Sequence, residues 1–119
     1  MAETAAPVVH PDAIRIGTSS SRRFVGREHG AAISYFFVDA APGEGPARHR
    51  HPYSETWVVL DGEVTITIGD EQLVATAGDT ATVATGVWHS FTASGPGRLR
   101  ILCIHASDEI IQEFAAATA

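Results

Sequence analysis

A chain of 119 residues with 45% hydrophobic and 18% charged side chains is long enough for one domain with a buried core, and its balance excludes a disordered polymer. The formal net charge is −6 and all eight basic side chains are arginines, scattered in short groups, so there is no basic footprint for nucleic acid or an anionic membrane. A single cysteine, Cys103, excludes an intrachain disulfide, and no apolar run reaches membrane-spanning length.

In chain order, residues 1–11 are rich in Ala and Pro and read as a flexible leader or arm. They lack an apolar core flanked by positive charge, so they do not read as a signal peptide, and a cytoplasmic protein is expected. The main body, 12–106, is a succession of short β-type segments. "AISYFFVDA" (32–40) is rich in aromatic and branched residues. "APGEGPARH" is a Pro/Gly loop leading into the stretch at 49–57, and "TWVVL" (56–60) then meets Asp61-Gly62, a two-residue hairpin signal. "EVTITIG" (63–69) alternates with period two. Turns at 69–71 and at Gly78-Asp79 bracket "QLVATA", and "TATVA", "HSFTA" and "RLRILCIHA" (98–106) complete the series. The tail, 107–119, reads as a short C-terminal helix: Ser107 is an N-cap candidate, acidic residues follow, and Ile110, Ile111 and Phe114 form a docking stripe. Short strands with frequent turns and no βαβ unit predict an all-β sandwich or closed barrel.

The chemistry concentrates in "HRHPYSETW" (49–57). His49 and His51 stand at i and i+2 of a strand and present two imidazoles on one face. Glu55 shares their parity, although Pro52 bends the chain between them. Two neutral nitrogens and a carboxylate converging on one point predict a metal site. His-x-His alone is a weak pattern, equally compatible with surface or hydrogen-bonded core histidines, so a further donor is needed. "GDTATVATGVWHSFTA" (78–93) carries His89.

At these two stretches the sequence resembles the cupin superfamily, small jelly-roll β-barrels defined by two short motifs. Gly43, His49, His51, Glu55 and Gly62 stand at every defining position of the first motif. Gly78, Gly86 and His89 stand at those of the second, with Ala84 where the family has Pro and Ala93 where it has Asn. The resemblance implies a single-domain jelly-roll barrel in which His49, His51, Glu55 and His89 hold one divalent transition metal ion. Imidazoles with one carboxylate suit Mn, Fe, Co, Ni, Cu or Zn. Four protein ligands on an octahedral ion leave two positions for a chelating substrate, or for substrate with dioxygen.

That quartet is similar to those of metal-dependent dioxygenases, oxalate-type decarboxylases and some lyases, and the barrel alone does not choose among them. The leading expectation is a small metalloenzyme of dioxygenase type acting on an oxygen-rich organic molecule chelated at the metal. The alternatives are a non-redox lyase, decarboxylase or isomerase, and a non-catalytic small-molecule binding module. A transcription regulator is disfavoured, because the chain has no space for a helix-turn-helix and its charge opposes DNA.

Glu55, His105 and Tyr53 are the candidate catalytic residues: Glu55 as a base if it detaches, His105 as an inward-facing acid or base, and Tyr53 by its shared parity. Tyr35 is a candidate of the same kind as His105. Phe91 is expected to wall the pocket, Arg48 and Arg50 to point outward or toward a partner, and His10 and His29 to lie in loops. Cys103 reads as a small buried hydrophobe rather than a nucleophile. Compact cupins resemble homodimers. The last strand supports that expectation independently, because Leu102 and Ile104 are apolar on one face while Ile101 and Cys103 are apolar on the other, so something outside the barrel must cover it. The chain's own N-terminus is the other possible cover.

Overall fold

The computed structural model describes residues 8–116. Among them ten strands form: β1 (Arg22–Phe24), β2 (Ser34–Ala40), β3 (His49–Arg50), β4 (Glu55–Asp61), β5 (Glu63–Ile68), β6 (Glu71–Thr76), β7 (Thr80–Val83), β8 (His89–Ala93), β9 (Leu99–His105) and β10 (Glu113–Phe114). They make two five-stranded antiparallel sheets, ordered β1-β2-β9-β4-β7 and β10-β3-β8-β5-β6. This is the all-β jelly-roll barrel expected from the sequence.

Alternation along the strands decides which side chains enter the space between the sheets. On β4 and β9 the inward residues Trp57, Val59, Leu99, Ile101 and Cys103 are buried, and Val64, Ile66, Phe91 and Ala93 meet them from the opposite sheet. Each such large apolar side chain contributes roughly 1.5–3 kcal/mol by leaving water. Trp57 packs edge-on against Phe91 across the core, ring centroids 5.4 Å apart. No helix among the described residues is long and apolar enough to cross a membrane.

Two expectations need correction. Asp61-Gly62 is not a hairpin turn, because β4 pairs with β7 and β9 whereas β5 pairs with β6 and β8. The chain changes sheets there. Gly62 has φ +87°, and a Cβ on it would lie 2.5 Å from the carbonyl oxygen of Arg98. The turn needs glycine for its backbone, not for a hairpin. The hairpin turn of this region is Gly69-Asp70, joining the paired residues Ile68 and Glu71 with φ +59° at Gly69, as a turn with glycine at its first central position requires.

The second correction concerns the tail: no helix forms over 107–116. Ser107 accepts the Glu109 N–H at 3.1 Å in a local turn, and Glu113 and Phe114 then pair with Arg50 and His49. The Ala115 N–H continues that edge to the Arg48 carbonyl at 2.9 Å. A free helix of this length is marginal in water, whereas β3 offers an edge whose backbone groups want partners. Residues 117–119 of the expected helix lie outside the described residues, as do 1–7 of the expected leader. Pro11–Ile14 forms one 3-10 turn. Val9, Pro11 and Ile14 line a hollow of about 470 Å³ with Tyr35, Phe37, Leu60 and Leu102 on the outer face of the first sheet. The chain's own N-terminal segment thus supplies part of the cover that Leu102 calls for.

Candidate metal centre

Sheet register assembles the site. His49 on β3 stands directly opposite His89 on β8, their ring centroids 4.3 Å apart. His51, two residues further on, turns its ring to the same point. Glu55 opens β4 in the other sheet, where its cross-strand neighbour is His105 on β9. One donor atom from each of His49, His51, Glu55 and His89 lies within 4.8 Å of the other three, and all four residues are buried. Two donors from one sheet, one from the segment just after β3 and one from the other sheet therefore meet between the layers.

The backbone fixes which nitrogen each ring presents. Nδ1 of His49, His51 and His89 lies 2.7, 2.9 and 2.8 Å from the carbonyl oxygens of Ala47, Ile111 and Val87. A carbonyl only accepts, so each Nδ1 donates and the neutral ring turns the lone pair of Nε2 inward. Yet Nε2 of His51 and of His89 each lie 3.0 Å from Glu55 Oε1. Lone pairs facing a carboxylate at that distance repel unless positive charge lies among them, either protons on the rings or a metal ion. His89 Nε2 is buried and makes no aligned hydrogen bond to any described residue. An orphaned inward nitrogen beside a carboxylate is what a divalent ion with N/O ligands would satisfy, and the residues fit the ion.

Charge states agree with that fit. Burial by itself would raise the Glu55 carboxyl, but the hydrogen bond from His105 and the close ring nitrogens of His51 and His89 outweigh it and hold the group far below the usual carboxylate range. Burial lowers His49, with the neighbouring rings adding to the shift against the Ala47 hydrogen bond. Glu55 is thus anionic and His49 is kept neutral, the forms that ligation requires.

His105 has the opposite tautomer. Its Nε2 is 3.3 Å from Glu55 Oε2 and its Nδ1 is 2.6 Å from the Tyr53 hydroxyl. Nε2–H points at the carboxylate, and Nδ1 accepts from the phenol. The hydroxyl in turn accepts the Ile111 N–H at 3.1 Å. Burial raises the Tyr53 pKa, with the Glu55 charge adding to the shift against the hydrogen bond from the Ile111 N–H, so the phenol keeps its proton. A chain of hydrogen bonds thus runs from Ile111, in the segment before β10, through Tyr53 and His105 to the second oxygen of Glu55.

Above the quartet lies a chamber of about 430 Å³ whose walls include Phe36, Val38, Phe91, Cys103 and Phe114, with His49, Glu55 and His105 at its polar end. Phe91 is a wall, as expected. Cys103 is fully enclosed and burial pushes its thiol pKa well up, which suits a small hydrophobe. Tyr35 lies on the outer face, stacked on Phe24 at 5.0 Å, away from the site. Arg50 pairs with Glu113 at 2.9 Å and lies over Trp88, Arg48 is exposed, and His29 stacks on Phe24. The carbonyls of Ala47, Val87 and Ile111 are functional groups that reading side chains could not find. Two of them stand two residues before a candidate ligand, and the third comes from the tail expected as helix.

The family described as Cupin domain matches residues 36–105. The HTH-type transcriptional regulator PuuR of Escherichia coli K12 is 34% identical over 74 residues, 61% of this chain and 40% of that protein. This chain therefore spans about two fifths of the length of the curated relative. A cupin 2 domain-containing protein from Halorhodospira halophila has a crystal structure with 26% identity and a TM-score of 0.71, covering 82% of this chain and 70% of that one. The Bacillus subtilis oxalate decarboxylase, studied for its Mn(II) centres, shares 20% identity with a TM-score of 0.73 over 79% of this chain and 27% of that one, a likeness of fold. With a family match across more than half its length, on a jelly roll whose motif histidines and glutamate converge between the sheets, the chain belongs to the cupin family.

Proposed function

We propose that this chain is a metal-dependent cupin enzyme that holds an oxygen-rich organic small molecule as a chelate on one divalent ion, with oxygen-dependent cleavage as the favoured reaction. The observation that carries it is the set of inward Nε2 lone pairs meeting an ionised Glu55 beneath an apolar chamber. His49, His51, Glu55 and His89 would hold the ion. When bound, it supplies Lewis acidity and, for a redox-active metal, electron exchange with dioxygen. The protein does the rest. The apolar chamber walls shield the ion from bulk water, Glu55 would take a substrate proton only on detaching from it, and the His105 Nε2–H orients the carboxylate while Tyr53 fixes that ring.

The test is oxygen uptake by protein loaded with Fe, Mn or Ni, across diketones, flavonol-like compounds and hydroxy acids. Stoichiometric uptake with product formation supports the reading. Turnover without oxygen would reassign the site to a lyase, decarboxylase or isomerase. A second reading, a non-catalytic ligand-binding domain, is favoured by the similarity to PuuR, a transcriptional regulator. Retention of a small molecule through purification, with no turnover of any panel member, would select it. We also propose a homodimer, supported by Leu60, which stays 48% exposed beside the outer-face hollow. A monomer mass in solution would end that part of the proposal.

A further inference from the structure

The three inward histidine rings are not held in the same way. His49 and His89 find their Nδ1 acceptors two residues away, at Ala47 and Val87. His51 finds its acceptor sixty residues along the chain, at the Ile111 carbonyl. The N–H of that same residue donates to the Tyr53 hydroxyl at 3.1 Å. Ile111 thus supports one ring of the quartet and one end of the chain that leads to Glu55, from a segment outside both sheets.

That segment, 107–116, is a strap. It leaves β9, passes the mouth of the chamber, where Gln112 and Phe114 are part of the wall, and ends paired with β3. Gln112 and Phe114 also border an outer hollow of about 580 Å³ that includes Arg23, Arg27 and Glu28, so the strap stands between that hollow and the chamber. Its anchors are backbone and surface contacts. The Arg27 N–H donates to the Asp108 carbonyl at 2.8 Å, and the Arg27 guanidinium pairs with Glu109 at 2.8 Å. Arg50 holds Glu113, and residues 111–114 are all exposed. A segment with little buried apolar area opens locally, well below the free energy of global unfolding.

Opening the strap takes the acceptor from His51 and the donor from Tyr53, and leaves His49 and His89 as they are. Partners of this kind are worth about 10–100-fold in metal affinity. Linkage is reciprocal, so an ion that prefers the closed form by that factor holds the strap closed by the same factor. Resting on the reading of this site as a metal centre, we propose that residues 107–116 form a metal-linked latch: the ion holds the strap on β3 through His51 and Ile111, and opening of the strap is the step that releases the ion.

Amide hydrogen exchange of the full chain, with and without one equivalent of Co(II), tests the hold of the ion on the strap. Exchange over 108–115 is expected to slow by about tenfold or more on loading, while β6, the exposed strand at the other edge of the same sheet, changes little. Release is tested with a cross-link. Arg50 and Glu113 are direct cross-strand partners, which places their Cα atoms about 4.5–5.5 Å apart, within disulfide reach. Oxidised Arg50→Cys/Glu113→Cys is expected to lose Co(II) to excess EDTA about tenfold or more slowly than the same variant after reduction. Cys103 is buried and stays out of the cross-link. If this variant does not load Co(II), Glu109→Gln carries the test: it loosens the Arg27 anchor without touching the quartet and is expected to speed release about two- to fivefold. Failure of the wild-type protein to bind one Co(II) would overturn the metal reading itself. One bound Co(II) with exchange over 108–115 slowed no more than that of β6, or with release indifferent to the cross-link or to Glu109→Gln, overturns the latch alone.

Discussion

Replacing Tyr53 by Phe removes one oxygen and tests the hydrogen-bond chain that aims Glu55. That oxygen accepts from the Ile111 N–H at 3.1 Å and donates to His105 Nδ1 at 2.6 Å. The two losses are unequal. Ile111 is 48% exposed, so its N–H can turn to water, whereas His105 is only 1% exposed and its Nδ1 is left without a donor. An orphaned buried acceptor costs about 1–3 kcal/mol and the exposed bond under about 1 kcal/mol, so metal-free Tyr53→Phe should lose about 2 kcal/mol in urea denaturation. A ring that no longer holds Glu55 Oε2 should also weaken metal binding by roughly 10–100-fold, read by competition with a chromophoric chelator. Because Tyr53 acts through His105, the double variant Tyr53→Phe/His105→Gln should cost less than the sum of the singles, with a coupling of about 0.5–3 kcal/mol. Additive costs with unchanged metal affinity would refute the chain.

Three further outcomes follow from the structure. Gly62→Ala should destabilise by more than about 1 kcal/mol, since its φ of +87° and the Arg98 carbonyl at 2.5 Å leave no room for a methyl group; thermal melts check it. Trp57→Ala should cost about 3–5 kcal/mol, but Trp57→Phe under about 1.5 kcal/mol, because the buried Trp57 Nε1 has no partner among described residues and its removal recovers part of the lost packing; denaturant midpoints distinguish the two. For pH, the folded Glu55 carboxyl is depressed, so its contribution is complete above the unfolded value near 4.3 and is lost as pH falls toward the folded one. Metal-free wild type should therefore lose stability more steeply than Glu55→Gln below about pH 4.3, and parallel acid limbs would contradict this.

Side-chain periodicity made much of this legible. His49, His51 and Glu55 share parity, and the period-two pattern of 63–69 matches the burial of Val64 and Ile66. Cys103, His105 and Phe91 face inward for the same reason. The change of sheet at Gly62 was hidden, because a positive-φ glycine after Asp serves a hairpin and an inter-sheet corner equally well. The tail misled in a different way. Ile110, Ile111 and Phe114 fit a helical stripe, but the decisive partner was the open edge of β3, which exists only once the barrel has closed. That error also concealed the Ile111 carbonyl that holds His51 and the Ile111 N–H that holds Tyr53. Tyr53 and His105 were each visible as candidates. Their 2.6 Å link joins residues on separate strands and had no signal in spacing.

Elemental analysis of the protein isolated from its own host tests the central claim most directly. One divalent transition metal ion per chain in the wild type, falling to near none in His89→Ala, is the expected result, because the orphaned Nε2 of His89 is one of the four donors that meet there. A wild-type protein without such an ion, or a His89→Ala protein that keeps its full complement, would contradict the account.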